Sequence, residues 1–429
     1  MSRAELESWA GRAGLPAYRG RQVFGWIGRG AAGFGEMTDM PAALREALER
    51  SGADLACFGA AADSPAGFGG TAAASAANTA SPASAETSAN TASAANAADA
   101  AAGAPSPAGR ESPASAAEPT AAADSPAGFG GAVAASAVGT GIPRIAGVYR
   151  SRRDETVKYA LRTWDGNIIE SVLMKYRHGY TACVSSQAGC RMGCAFCASA
   201  PSAFSRSLSP GEMLGQVAAI GRAEGVAVGH VVVMGIGEPF DNYDGTLKFA
   251  ALLHEHGKTG VGYRKLTIST CGHLPGILRL AREGLPIGLS VSLHAPNDAV
   301  RSALMPINRK YSIDKLIEGC KIYTYATKRR ITFEYALIRG VNDSPGAAAE
   351  LAGRISGMLC HVNLIPVNRT ERSRYEPPPA GAVAAFAGAL RRGGIETTVR
   401  RELGADVMAA CGQLRNSLPG AVGTGGQPQ

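Results

Sequence analysis

From residue 142 onward, short β-rich runs alternate with helical stretches, and this alternation constrains the fold more than any other feature of the 429-residue chain. The runs cover 181–186, 230–235, 265–270, 287–293, 331–338 and 361–366, with helical stretches at 210–222, 243–256, 275–283, 312–326 and 345–358. Strands joined by crossovers of that length pair in parallel, with helices packed on the sheet. Six units are fewer than the eight of a closed TIM barrel. The fold class is therefore α/β, a partial, open (β/α)6 barrel, and ligand-handling residues belong at the C-terminal ends of its strands. Before the first barrel strand, 154–161 and 168–176 form a hairpin turning at Trp164-Asp165-Gly166-Asn167, which makes 142–175 a β-hairpin extension.

The rest of the chain is of two other kinds. Residues 1–58 form a small N-terminal helical accessory domain. Arg21–Ile27 carries apolar residues on one helix face, and a second helix starts near Met40-Pro41. Residues 59–141 are a long Ala-rich insert: 33 of the 80 residues from 61 to 140 are Ala, and Asp-Ser-Pro-Ala-Gly-Phe-Gly-Gly occurs twice, at 63–70 and 124–131. Two copies make no solenoid. So little bulky apolar area cannot offset chain entropy, so the insert is expected to be disordered and to do no chemistry. The insert also hides charge. The whole chain is +8, but residues 61–140 hold six acids and one base, so the remainder is +13 and favours a polyanion such as nucleic acid.

No apolar core of a signal peptide opens the chain, and no run of about 18 uncharged apolar residues exists to span a bilayer. Nine Cys residues (57, 183, 190, 194, 197, 271, 320, 360, 411) without an export signal suit a reducing compartment, where clustered thiols bind metal or react. The expectation is a cytoplasmic protein with no membrane partner.

The sharpest cluster is Cys190-Arg191-Met192-Gly193-Cys194-Ala195-Phe196-Cys197, a short loop after the first barrel strand. Three thiolates ligate three irons of a [4Fe–4S] cube and leave the fourth open. A structural zinc site uses four closed ligands, and Cys183 could be the fourth in that alternative. Further along, Val232-Val233-Met234-Gly235-Ile236-Gly237-Glu238-Pro239 ends the second strand in a glycine turn. Ser269-Thr270, Ser292-Leu293-His294 and Asn368 follow later strands.

C-x3-C-x2-C at the end of the first strand of such a barrel, with Phe196 before the last Cys, resembles the radical S-adenosylmethionine superfamily. That resemblance implies a [4Fe–4S] cluster on Cys190, Cys194 and Cys197, with S-adenosylmethionine chelating the open iron and cleaved to a 5′-deoxyadenosyl radical. Gly237, Glu238, Ser269, Ser292, Leu293, His294 and Asn368 are then cofactor-binding residues. Cys183–Cys190, Ser292–Asp298 and Asp406-Val407-Met408-Ala409-Ala410-Cys411-Gly412-Gln413-Leu414 resemble the RNA adenine methyltransferases of the RlmN and Cfr kind, over about 1–58 and 142–415. Residues 176–404 become the radical core, and 405–429 a catalytic Cys loop with a flexible tail.

The resemblance implies three catalytic residues and two cofactor molecules per turnover. Cys411 is methylated first, and its methyl group, turned into a radical, adds to carbon 2 of an adenine, which simple methyl transfer cannot reach. Cys183 resolves the adduct and leaves a disulfide with Cys411, and Glu170 accepts a proton. The substrate implied is 23S rRNA, with the tRNA anticodon loop left open, and the electron donor is flavodoxin or ferredoxin. The N-terminal R-x-x-Q-V-F-x-W-I pattern points to the RlmN branch rather than the Cfr branch, which methylates carbon 8. Arg309-Lys310, Lys328-Arg329-Arg330, Arg369, Arg372, Arg374, Arg391-Arg392 and Arg400-Arg401 are candidate phosphate contacts. Two other readings remain: a radical enzyme with a non-RNA substrate, and a zinc-stabilised RNA-binding module without catalysis.

Overall fold

A computed structural model of the chain describes residues 2–28, 31, 34–50, 142–200, 203–255, 261–370 and 374–414. The chain divides into two compact units, Met1–Pro65 with Ala137–Gln429, and Ala66–Ser136; the described residues belong to the first. The expected disorder of 59–141, together with Cys57, Arg372 and residues 415–429, lies outside the described residues.

Three N-terminal helices come first: α1 (Arg3–Arg12), α2 (Ala17–Gly28) and α3 (Ala42–Arg50). The apolar pattern announces the second and third. It hides α1, which buries only Leu6 and Ala10 and is started instead by a capping box between Ser2 and Glu5. Glu5 pairs with Lys248 at 2.9 Å and Glu36 with Arg222 at 2.6 Å, tying this unit to the barrel helices.

The main sheet has ten strands in the order β1 (Arg144–Arg150), β2 (Val157–Arg162), β3 (Ile168–Tyr176), β4 (Gly179–Val184), β7 (Val228–Val233), β8 (Leu266–Thr270), β9 (Gly288–Ser292), β10 (Ile331–Leu337), β11 (Cys360–Pro366) and β12 (Thr397–Val399). From β1 to β4 the pairing is antiparallel; from β4 to β12 it is parallel. The six expected barrel strands are β4 and β7 to β11, and β12 adds a short seventh at the edge. The expected hairpin is present as β2–β3. It is continuous with the barrel through β4, and β1 makes it a three-stranded ribbon.

Crossover helices α4 (Pro210–Glu224), α5 (Tyr243–Glu255), α6 (Leu274–Leu280), α7 (Asp298–Leu304), α8 (Ile313–Thr327), α9 (Pro345–Ile355) and α10 (Ala380–Arg392) complete the unit. Local chemistry sets several starts. Ser209 and Ser344 each cap a helix whose first residue is Pro, and Asn297 caps α7. Val231, Val233, Ile268, Leu289, Val291, Phe333, Val362 and Leu364 are buried in the sheet core. Among the described residues, no helix is long and apolar enough to cross a membrane.

Candidate active site

The site lies where the parallel strands end. After β4 the chain makes a two-residue strand β5 (Gln187–Ala188), loops through the three cysteines, and returns as β6 (Arg206–Ser207), paired antiparallel to β5. That ladder closes the base of the cysteine loop. Gly189, at φ +77°, has to be glycine, because a Cβ there would stand 2.0 Å from the Ala203 carbonyl oxygen. Cys190, Cys194 and Cys197 all face one cavity, about 1100 Å³ with its open mouth.

Burial pushes the Cys190 thiol up to about 11 and raises Cys194 further, with the neighbouring Cys197 and Cys190 sulfurs adding to the shift at Cys194. A metal that binds such thiols takes the place of their protons. Three thiolates in one short loop match the three protein ligands of a [4Fe–4S] cube with one open iron, whereas a structural zinc site uses four closed ligands, so the donor set fits a cluster.

Strand ends β7 to β10 supply the polar wall. Gly237 (φ +109°) brings the backbone so close to β5 that a Cβ would lie 2.6 Å from that of Gln187. The Glu238 amide donates to Gln187 Oε1 at 2.9 Å, and its carboxylate accepts from the Cys271 amide at 2.7 Å and the Phe240 amide at 3.0 Å. Glu238 therefore braces the turn with its side chain. His294 holds φ +56°, uncommon for a non-glycine residue. Its Nδ1 accepts from the Ala336 amide at 2.9 Å, so the neutral ring carries its proton on Nε2. Burial lowers the His294 pKa to about 3, helped by Arg301.

The fourth wall is the C-terminal segment. Ser151 Oγ and the Arg152 amide donate to Asp406 at 2.7 and 2.8 Å, and the Gly404 amide donates to Asp154 at 3.0 Å. Further along, Asn368 Nδ2 donates to the Cys411 carbonyl at 2.9 Å, the Ala198 amide to the Gly412 carbonyl at 2.7 Å, and Gln413 Nε2 to the Arg369 carbonyl at 2.8 Å. Gripped at both ends, the segment turns Cys411 into the cavity that Cys183 and the three loop cysteines also line. Burial pushes the Cys183 thiol up to about 12, with the Cys411 sulfur adding to the shift. Both are free thiols here, so the disulfide implied by the resemblance is not formed in this structure.

Of the residues singled out from sequence, Cys183, Cys190, Cys194, Cys197, Gly237, Glu238, Ser269, Ser292, His294 and Cys411 line this one cavity. Leu293 is fully buried core beneath it, its amide bonded to the Glu334 carbonyl. Asn368 lies alongside, lining a smaller pocket that shares Cys411. Glu170 is fully buried on β3, its Oε1 3.1 Å from Lys158 Nζ, and it is not among the cavity-lining residues. Arg400, half-buried after β12, lines the cavity with Glu334, while Arg401 beside it is exposed. Burial alone would lower the Arg400 pKa, but Cys411, Glu334, Tyr176 and Cys183 outweigh that and raise it.

The comparisons with known proteins fit this geometry. The family described as "Radical SAM superfamily" matches residues 184–352, and "Ribosomal RNA large subunit methyltransferase N-terminal domain" matches residues 1–52. A dual-specificity RNA methyltransferase RlmN from Desulforudis audaxviator is 50% identical over 68% of this chain and 91% of its own length. The chain belongs to the RlmN family of radical SAM RNA methyltransferases. A second RlmN, from Clostridium tetani, is 49% identical over 64% of this chain and 78% of its own. The crystal structure of a radical SAM methyltransferase from Sphaerobacter thermophilus superposes with a TM-score of 0.74 at 35% identity, covering 97% of this chain and 98% of that one. As an RlmN-family enzyme the chain works with a [4Fe–4S] cluster and S-adenosylmethionine, and its substrate is an RNA.

Proposed function

We propose that this enzyme methylates carbon 2 of an adenine in 23S rRNA, and of an adenine in the tRNA anticodon loop, through a methyl group carried on Cys411. The observation that carries the reading is the joining of Cys411 and Cys183 to the three-cysteine loop around one cavity. Cys190, Cys194 and Cys197 hold the cluster, and the Gly237–Glu238 turn, Ser269, Ser292, His294 and Asn368 bind S-adenosylmethionine or its surroundings, with Leu293 packing beneath. When bound, that pair supplies a methyl group and a one-electron cleavage that makes a hydrogen-abstracting radical.

The chain's own residues do the rest. Cys411 Sγ gives up its proton, helped by the Arg400 charge, and takes the methyl carbon. That carbon, after losing a hydrogen atom, bonds to adenine carbon 2. The proton released there goes to water, since Glu170 is fully buried against Lys158 and does not line the cavity, and the adduct's unpaired electron would return to the cluster. Cys183 Sγ then attacks the Cys411 sulfur, forming the disulfide and breaking the sulfur–carbon bond, and the released carbon takes up the Cys183 proton to complete the methyl group. Exposed Arg309, Lys310, Lys328, Arg330, Arg369, Arg374 and Arg401 give the RNA backbone cationic surface. Residues 1–58 are its accessory RNA-binding domain, 142–175 an extension, 176–404 the radical core and 405–429 the catalytic loop and tail. A cytoplasmic flavodoxin or ferredoxin delivers the electrons.

The two thiols act at different times, and that difference is the test. Cys411→Ala protein should load its cluster yet yield neither protein methylation nor RNA product. Cys183→Ala protein should add to adenine and stall, so that it purifies with RNA fragments bound through Cys411. Cys183→Ala protein that is free of RNA and turns over would refute the resolving role. RNA product from Cys411→Ala would refute the carrier.

A further inference from the structure

Arg301, on α7, heads the largest fully buried side chains among the described residues. Its guanidinium donates to four oxygens. Nε reaches the Leu293 carbonyl at 3.2 Å, Nη1 reaches Asn308 Oδ1 at 3.0 Å, and Nη2 reaches the carbonyls of Cys271 at 2.7 Å and Ser292 at 3.1 Å. All four acceptors are neutral. The carboxylate closest along this network, Asp298, spends one oxygen on the Asn308 side-chain amide and the Ile313 amide, both at 2.8 Å. A buried cation bonded only to neutral oxygens is unfavourable unless a negative charge stands near it.

The loop that would hold a negatively charged cluster docks at the same end of α7. Cys194 and Cys271 pack with Phe196 against Leu304 and Met305, and the Ala195 amide donates to the Leu304 carbonyl at 2.9 Å, which docks the cysteine loop on the end of α7. We propose that Arg301 is the fixed counter-cation of the iron–sulfur cluster, held by four carbonyl and amide oxygens so that its charge favours the reduced cluster and sets the reduction potential. The inference rests on the reading that Cys190, Cys194 and Cys197 hold that cluster. Adding an electron makes the cluster more negative, and in a low-dielectric interior a cation at short range favours that step. Arg suits the position because its fork satisfies several oxygens while keeping its charge at any working pH. Arg301 acts through the cluster and is a positioning residue.

Full-length wild type, Arg301→Lys and Arg301→Gln are reconstituted with iron and sulfide under anaerobic conditions, assayed for iron, and titrated electrochemically while the reduced-cluster signal is followed by electron paramagnetic resonance. The expected result is full iron in all three, a more negative midpoint potential in Arg301→Gln, and a midpoint near wild type in Arg301→Lys. Should Arg301→Gln not fold, citrulline at position 301 keeps the shape of the guanidinium without its charge, and the same negative shift is expected. A neutral variant with full iron and an unchanged midpoint overturns the proposal. So does equal loss of iron in the Lys and Gln variants, which would make Arg301 a scaffold only. Wild type that takes up no cluster would instead overturn the reading beneath it.

Discussion

His294 shows how much a single side chain settles here. Its ring accepts the Ala336 amide, its carbonyl accepts Asn342 Nδ2 at 2.8 Å, and its ring meets Phe196 edge-on at 4.9 Å. With a folded pKa of about 3 against an ordinary 6.5, the unfolded chain takes up the proton first as pH falls. The stability this neutral ring contributes is therefore complete above pH 6.5 and lost progressively below it. His294→Asn keeps an acceptor near the Nδ1 position and tolerates positive φ, but does not titrate. Thermal melts between pH 7 and about 4 should fall less steeply for His294→Asn than for wild type; parallel slopes would mean that His294 does not carry the acid sensitivity. Sequence found this residue, the cysteine loop and the Gly237–Glu238 turn because their spacing is local. Arg301, Lys158 and Arg400 were not legible as interior charges. Lys158 and Arg301 stand alone in their segments and Arg400 is one of a pair with Arg401; such charges read as solvated faces, and only tertiary packing turns these side chains inward.

Among the elements, the β1–β3 ribbon does more than extend the sheet. Its first turn grips Asp406 and Gly404, and Lys158 on β2 reaches both Glu170 on β3 and the Met408 carbonyl at 3.4 Å. Met408 sits at φ +53°, a strained conformation outside glycine that these contacts hold in place. The sequence announces the hairpin through its alternation and its Asp-Gly turn, but not this use of it, because the partners lie about 250 positions apart. Helix α1 and strand β12 escaped for a simpler reason: one has little apolar face and the other spans three residues. Lys158→Met should remove the cation of a buried ion pair from beside Glu170 and destabilise the protein by about 3–5 kcal/mol. Adding Glu170→Gln should recover part of that loss. Denaturant melts of the single and double variants measure it; additive losses would show that the pair is not coupled.

At the scale of the whole molecule, the chemistry belongs to the unit formed by Met1–Pro65 and Ala137–Gln429, and the alanine-rich segment forms a unit of its own. Its composition gives it little apolar area to lend the barrel, and its loss makes the protein more basic. Deleting residues 66–136 should therefore leave iron loading and the melting temperature unchanged and should not weaken RNA binding at low salt. A deleted protein that fails to fold would show that the barrel depends on the insert.

If Cys411 carries a methyl group to carbon 2 of an RNA adenine, the nucleosides of the product RNA report it. Transcripts of 23S rRNA and tRNA are incubated anaerobically with the reconstituted enzyme, a reductant and S-adenosylmethionine. Their nucleosides are then separated by mass spectrometry against 2-methyladenosine and 8-methyladenosine standards. Wild type should yield 2-methyladenosine, and Cys411→Ala only unmodified adenosine. Formation of 8-methyladenosine, absence of any methylated adenosine from active wild type, or 2-methyladenosine from Cys411→Ala would contradict this.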